Sequence, residues 1–305
     1  MRRFLAPVAI LALAFGISIP IAATAQSSDP ILGAFVPSKT GFTALSGALV
    51  TAGAASGLGI DNGYQNFTWD ALSRITTFDG PDGYSPMISW SPGTGDGTCV
   101  LLSAVAHGDY DSTLITEAGQ LTALSEYGVN RVYVRLFYEM TDSPAESCAN
   151  SGYSATTYVA AFRHVVTVIK ANLGSTAPTV LWVFAPGESA YTTGVWSDYY
   201  PGSSYVDVIA EDLYNRGGAA NFPGEVCTDA SGYGKYLMIS ETGALRNDAD
   251  DAVQVQWLNS VRTACPILYA FVYWDQVGGD ENQYDYTLNT SDTSVMGAFA
   301  GIASP

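Results

Sequence analysis

With 305 residues, 48% of them hydrophobic and only 13% charged, the chain has material for one large buried core or two small ones. Its net charge of −17 excludes partners that an acidic surface repels, namely nucleic acid, anionic lipid and polyuronates. A neutral polymer is compatible with that surface.

In chain order, the first element is an export signal. Arg2 and Arg3 give the positive start, an apolar stretch runs from 4 to 21, and Ala23-Thr24-Ala25 is a small-x-small cleavage site before Gln26. Pro7, Gly16 and Pro20 interrupt the stretch, and nothing later is long and apolar enough to span a bilayer. The expectation is removal of residues 1–25, a secreted product with no membrane contact, and one domain over 26–305.

Apolar, β-rich runs then alternate with helical stretches. Strands are expected at 31–37, 86–90, 131–139, 179–185, 206–214, 236–241 and 267–274, with an eighth between 42 and 79 that the pattern does not place. Helices are expected at 111–127, at 158–173 with Gly174 as its cap, and at 248–263 with Asn247 or Asp248 as N-cap. Continuous apolar runs suit a parallel sheet buried on both faces. No glycine-rich phosphate loop follows the first strand, as a doubly wound dinucleotide-binding sheet would require. The fold class is therefore α/β, a single (β/α)8 TIM barrel.

The four cysteines, Cys99, Cys148, Cys227 and Cys265, fit two disulfides in an exported chain. Cys99 and Cys148 follow strands on one rim, and Cys227 and Cys265 precede strands on the other, which favours 99–148 and 227–265 among the three pairings. No Cys-x-x-Cys occurs, so zinc and thiol redox roles are not expected.

Glu139 and Glu241 each close an apolar strand-like run. They lie about three steps of 34 residues apart, and a strand-plus-helix unit takes about 30. Two such carboxyls can face each other across one barrel mouth, the arrangement that acid-base cleavage of a glycosidic bond requires. The bland alternatives are a carboxylate paired with Arg135 and a helix-entry cap. Arg135 lies four residues before Glu139, on the same strand face, where a cation keeps a nearby carboxylate charged and oriented.

Six segments in order resemble glycoside hydrolase family 26, from about Leu32 to Ala303. Leu32-Gly-Ala-Phe-Val-Pro37 is similar to the family's first strand, and Gly108-Asp-Tyr-Asp111 to its G-x-Y-D segment. Arg135-Leu-Phe-Tyr-Glu139-Met140 resembles R-P-x-H-E-M, the acid/base strand. Tyr200-Pro-Gly-Ser-Ser-Tyr-Val-Asp207 with Leu213-Tyr214-Asn215 resembles its Y-P-G-x-x-Y-V-D…x-Y-N strand. Ser240-Glu241-Thr-Gly243 resembles the nucleophile strand, and Tyr284-Asp-Tyr-Thr-Leu288 the C-terminal D-x-x-L segment.

The resemblance implies that Glu139 is the general acid/base, at the end of strand 4, and Glu241 the nucleophile, at the end of strand 7. It implies that the Tyr214 hydroxyl bonds Glu241 and that Trp274 lies under the sugar at the cleavage point. Trp90 and Trp182, on strands 3 and 5, are weaker candidates for the same stacking role. The chain departs from the family at Tyr138, where histidine is usual, and in Glu139-Met-Thr-Asp142. That neighbour of the acid/base contacts the second hydroxyl of the sugar, where mannose and glucose differ, so a divergent subgroup is implied. Of the two histidines, His107 is expected to start the helix after strand 3 near the mouth, as a substrate contact, and His164 to sit mid-helix. Neither forms a metal pair. Asn247-Asp-Ala-Asp-Asp251 lacks the glycine and terminal glutamate of a calcium loop, and the acidic loop 278–282 is taken as solvated.

The expected activity is that of an endo-acting retaining glycoside hydrolase on a neutral β-linked polysaccharide or oligosaccharide, β-mannan first, β-glucan or β-xylan next. It needs no cofactor or metal and works as a monomer. A carbohydrate-binding protein that has lost hydrolysis is the alternative.

Overall fold

In a computed structural model the chain is described over residues 29–69, 72–142, 154–218, 220–246, 251–277 and 284–304. The expected leader, Cys148, residues 247–250 and the acidic loop 278–282 lie outside them. Eight parallel strands close into a barrel in the order β1 to β8. They are β1 Ile31–Phe35, β2 Ile60–Gln65, β3 Ser85–Trp90, β4 Arg131–Leu136, β5 Thr179–Phe184, β6 Val208–Asn215, β7 Tyr236–Ala244 and β8 Ala270–Trp274. The helices are α1 Lys39–Thr51, α2 Gly80–Asp82, α3 Leu102–His107, α4 Asp111–Ala123, α5 Ala155–Asn172, α6 Glu188–Thr192, α7 Glu225–Asp229, α8 Ala252–Ala264 and α9 Thr293–Ile302.

The barrel interior is filled from alternate strand positions. Tyr133 and Tyr269 join their hydroxyls at 2.7 Å, with Tyr236 stacked on Tyr269. In the same interior cluster lie Ile60, Met87, Val183, Val208, Met238 and Val272. The remaining strand positions face outward and pack the helices; Trp90, Trp182, Phe184 and Phe271 belong to that layer. Gly33 permits closure at the first strand pair, because a Cβ there would lie 2.7 Å from the Ile60 Cβ.

The strand that the sequence did not place, β2, reads Ile-Asp-Asn-Gly-Tyr-Gln. Its polarity hides it, yet three of its polar residues have a structural reason. Asp61, facing outward, accepts from Nε and Nη2 of Arg74 at 2.5 and 2.9 Å, while Asn62 and Tyr64 turn into the barrel mouth.

Several local expectations are corrected. Helix α5 ends at Leu173 in extended backbone, and Gly174 is not its left-handed cap; the Gly174 N–H instead bonds the Thr122 hydroxyl at 2.9 Å. The N-cap of α8 is Asp251, after the expected Asn247 or Asp248. His107 ends α3 instead of starting a helix, and it is exposed. Cys227 and Cys265 form a disulfide with Cα atoms 5.4 Å apart. Cys99 is also disulfide-bonded.

Candidate active site

Neither glutamate simply ends its strand. Strand β4 stops at Leu136, and the chain then enters a turn in which Phe137 and Glu139 have φ of 50° and 52°. Such left-handed backbone disfavours side chains with a Cβ and costs about 1 kcal/mol or more at each residue. Cross-strand bonds hold it in place: Phe137 N–H donates to Trp90 O at 2.8 Å, and Glu139 N–H to Ala185 O at 2.9 Å. Below the turn, Asp142 accepts the N–H groups of Glu188 and Ser189 at 2.6 and 2.8 Å, tying it to α6. Gly187 makes room for this, since a Cβ there would lie 2.4 Å from an Asp142 oxygen.

Glu241 lies within β7, with three more strand residues after it. The register of β7 slips on both sides here: Glu211 pairs Ile239 but Asp212 pairs Glu241, and the β8 partner shifts between Ile239 and Thr242. This bulge re-aims the side chain into the mouth. Three donors converge on the carboxylate. Tyr214 O–H donates to Oε1, Tyr64 O–H to Oε2, and Arg135 Nη1 to Oε2 at 2.7 Å.

Arg135 is wholly buried and also faces Asp212 at 3.5 Å. Burial works against its charge, but Asp212 and Glu241 push its pKa up and keep it cationic. Its guanidinium lies 4.2 Å from the centre of the Tyr138 ring. So Arg135 serves Glu241 directly, where the sequence alone had allowed a pairing with Glu139. Asp212 accepts the Ser240 hydroxyl at 2.5 Å, and burial raises its carboxyl to about 7 against the pull of Arg135.

Glu139 is pushed well above the usual carboxylate range, first by burial and then by the negative charges of Glu241 and Asp212, with Arg135 opposing. The half-buried Glu139 therefore keeps its proton where an ordinary glutamate has lost it.

Aromatic rings wall the mouth. Trp274 stacks on Phe35 at 4.3 Å and meets Tyr64 edge-on at 5.5 Å, and Tyr64 in turn meets Tyr138 at 5.6 Å. Trp274 remains half-buried. Trp90 does not join them: it faces outward, is completely buried against Phe67, Trp69 and Phe137, and donates its ring N–H to Phe67 O at 3.0 Å. Trp182 is equally buried. His107 lies at the exposed end of α3, where His164 of α5 instead bonds Asp111 at 2.6 Å.

The structure thus gathers Glu139, Glu241, Arg135, Tyr138, Tyr214 and Trp274 at one mouth and leaves Trp90 and His107 outside it. It adds Tyr64, Asp212 and Ser240, which the sequence reading missed. Asp212 was legible, two residues before Tyr214 and so on the same strand face. Tyr64 was not, because its strand had not been placed. Among the described residues, no three His, Cys, Asp or Glu side chains are grouped to hold a metal ion, and no helix is long and apolar enough to cross a membrane.

Comparison with known proteins bears on the family and the fold. The family described as glycosyl hydrolase family 26 matches residues 100–228, a span that includes Arg135, Glu139 and Tyr214 and ends before Glu241. A GH26 β-mannanase from Bacteroides ovatus superposes with a TM-score of 0.67 at 16% identity, over 92% of this chain and 90% of that one. A Bacillus subtilis mannanase gives 0.61 at 16% identity, over 90% and 86%. At these identities the likeness is one of fold. Endoglucanase H of Acetivibrio thermocellus is 29% identical over 154 residues, which is 46% of this chain but only 16% of that protein. The resemblance to family 26 is thereby shown over the matched span, which holds three of the six sequence segments, those at 108–111, 135–140 and 200–215.

Proposed function

We propose that this chain, a glycoside hydrolase related to family 26, is an exported, monomeric, endo-acting retaining enzyme. Its substrate is a neutral β-linked polysaccharide, β-mannan first. The observation that carries the reading is the contrast between the two carboxyls of one mouth. Glu139 is biased to hold a proton, and Glu241 receives only donors, one of them cationic.

In the first step a lone pair of the Glu241 carboxylate attacks the anomeric carbon. The glycosidic bond breaks, its electron pair stays on the leaving oxygen, and Glu139 delivers its proton there. Glu139, now charged, takes a proton from water, whose oxygen attacks the same carbon and frees Glu241. Two inversions leave the configuration retained. Trp274 offers its face to the sugar at the cleavage point, and Arg135 and Tyr214 keep Glu241 aimed. Export is supported by the leader-like sequence of residues 1–25 and by the disulfide between Cys227 and Cys265.

A second substrate, β-glucan, is favoured by one feature. Tyr138, stacked on Arg135, replaces the histidine expected beside the acid/base, where mannose and glucose differ. The curated relative is also named as an endoglucanase. A product profile on mannan, mixed-linkage glucan and xylan tests the reading. Internal cleavage of mannan is the expected result, release confined to glucan would transfer the assignment to the second substrate, and no new reducing ends from any of them would refute hydrolysis.

A further inference from the structure

The hydrogen bonds behind Glu241 run in one direction. A carboxylate only accepts, so the Tyr64 hydroxyl must donate to Oε2. That phenol has a single hydrogen, so the Asn62 Nδ2 at 3.3 Å must donate to its oxygen. The Asn62 amide is then oriented with Oδ1 toward Ser89, whose hydroxyl donates to it at 2.8 Å. Asn62 and Ser89 are both buried, on neighbouring strands β2 and β3. Phe35, Tyr138 and Trp274 meet the Tyr64 ring edge-on at 5.3 to 5.6 Å and prevent it from swinging away.

The two oxygens of Glu241 are consequently unequal. A carboxylate oxygen offers two lone-pair sites. On Oε2 both are taken, by Tyr64 and Arg135, whereas among the described residues Oε1 has Tyr214 alone.

We propose that Ser89, Asn62 and Tyr64 form a relay of positioning residues that fixes Oε2 of Glu241 and leaves Oε1 as the atom that bonds the anomeric carbon. The relay rests on the reading of Glu241 as nucleophile. In the step it serves, the free lone pair of Oε1 forms the new bond, the leaving oxygen keeps the electron pair of the broken one, and the Glu139 proton goes to that oxygen. Oε2 becomes the carbonyl oxygen of the ester and still accepts from Tyr64 and Arg135. Because these partners are in place before reaction, little reorganisation accompanies the charge shift. Hydrogen bonds in a chain also reinforce one another, so the effect at Glu241 depends on residues that never touch substrate.

The test compares Tyr64→Phe, Asn62→Asp and their double variant on an aryl β-glycoside with an activated leaving group. Tyr64→Phe keeps the ring and removes one donor to a charged group, so kcat falls about 10- to 100-fold while KM changes less than about threefold. In Asn62→Asp the new carboxylate draws the Tyr64 hydrogen to itself, and the loss is of similar size. The double variant is no worse than Tyr64→Phe, because both changes break the same chain. Should Asn62→Asp not fold, Ser89→Ala takes its place, with a few-fold loss that disappears in the Tyr64→Phe background. Losses that simply multiply, or a Tyr64→Phe change that falls on KM and spares kcat, overturn the relay. Glu241→Ala is measured alongside. If it retains turnover, the nucleophile reading itself fails; if it is inactive while Tyr64→Phe is unaffected, only the relay fails.

Discussion

The two carboxyl groups of the barrel mouth are held by opposite kinds of backbone. Glu139 stands in a left-handed turn beyond its strand, half-buried, with its charge opposed by burial and by three acidic neighbours, Glu241, Asp212 and Asp142. Glu241 stands inside its strand at a bulge, with two phenols and a guanidinium donating to it. The same residue type is thus given two chemistries by its surroundings, one suited to release a proton and one to share an electron pair. The proposed roles rest on what surrounds each carboxyl: acidic neighbours around Glu139, and three donors, one of them cationic, on Glu241.

The largest effect should come from breaking the Glu241 side. Glu241→Ala removes the carboxylate proposed to form the glycosyl ester, and turnover on any substrate should fall by about 10⁴-fold or more, read as initial rate. Glu139→Ala should separate the substrates instead. Cleavage of polymer, with its poor leaving group, should be lost, whereas an activated aryl glycoside should still react in the first step. The intermediate would then accumulate, and azide should rescue its breakdown by attacking where the charged acid no longer stands guard. Equal losses in both variants without azide rescue would erase the contrast.

A weaker blow is Arg135→Met. It strips the cation from Glu241 and Asp212 and leaves buried carboxylates uncompensated, at a cost of about 3–5 kcal/mol in stability. Denaturant unfolding should show that loss together with a lower kcat; undiminished stability would mean that the pair is not coupled as described.

The smallest effect is on pH dependence. A raised Glu139 pKa means that the proton-bearing form persists above the ordinary carboxylate range, and activity is lost as pH rises through the raised value. Asp142 is one of the negative groups that raise it. Asp142→Asn should therefore shift the alkaline limb of the kcat/KM profile to lower pH, by less than about one unit. A shift upward would contradict the sign.

Much of this arrangement could be read from the sequence where the polymer physics is repetitive. Seven of the eight strands are apolar runs with helices between them, and the two glutamates fall at matched places in that repeat. What escaped was written in polar residues. Strand β2 looks like loop because Asp61, Asn62 and Tyr64 serve an ion pair and the mouth instead of an apolar core, and with it went the second tyrosine on Glu241. Trp90 and Trp182 were misread as stacking platforms because a tryptophan near a strand end gives no sign of which face it occupies until the register is known; both face the helices. His107 was placed at the start of a helix because Gly108-Asp-Tyr-Asp111 leads into one, but Gly108 in fact closes the short α3 with φ of 91°.

The most direct test of the central claim is to trap the intermediate. A 2-deoxy-2-fluoro glycosyl fluoride of the preferred sugar slows the second step more than the first, so the ester should accumulate and its mass and peptide position can be read by mass spectrometry. One sugar per chain, on the peptide bearing Glu241, with retained configuration in the first product of normal turnover, is what the account predicts. A label on Glu139, or no label together with an inverted first product, would contradict it.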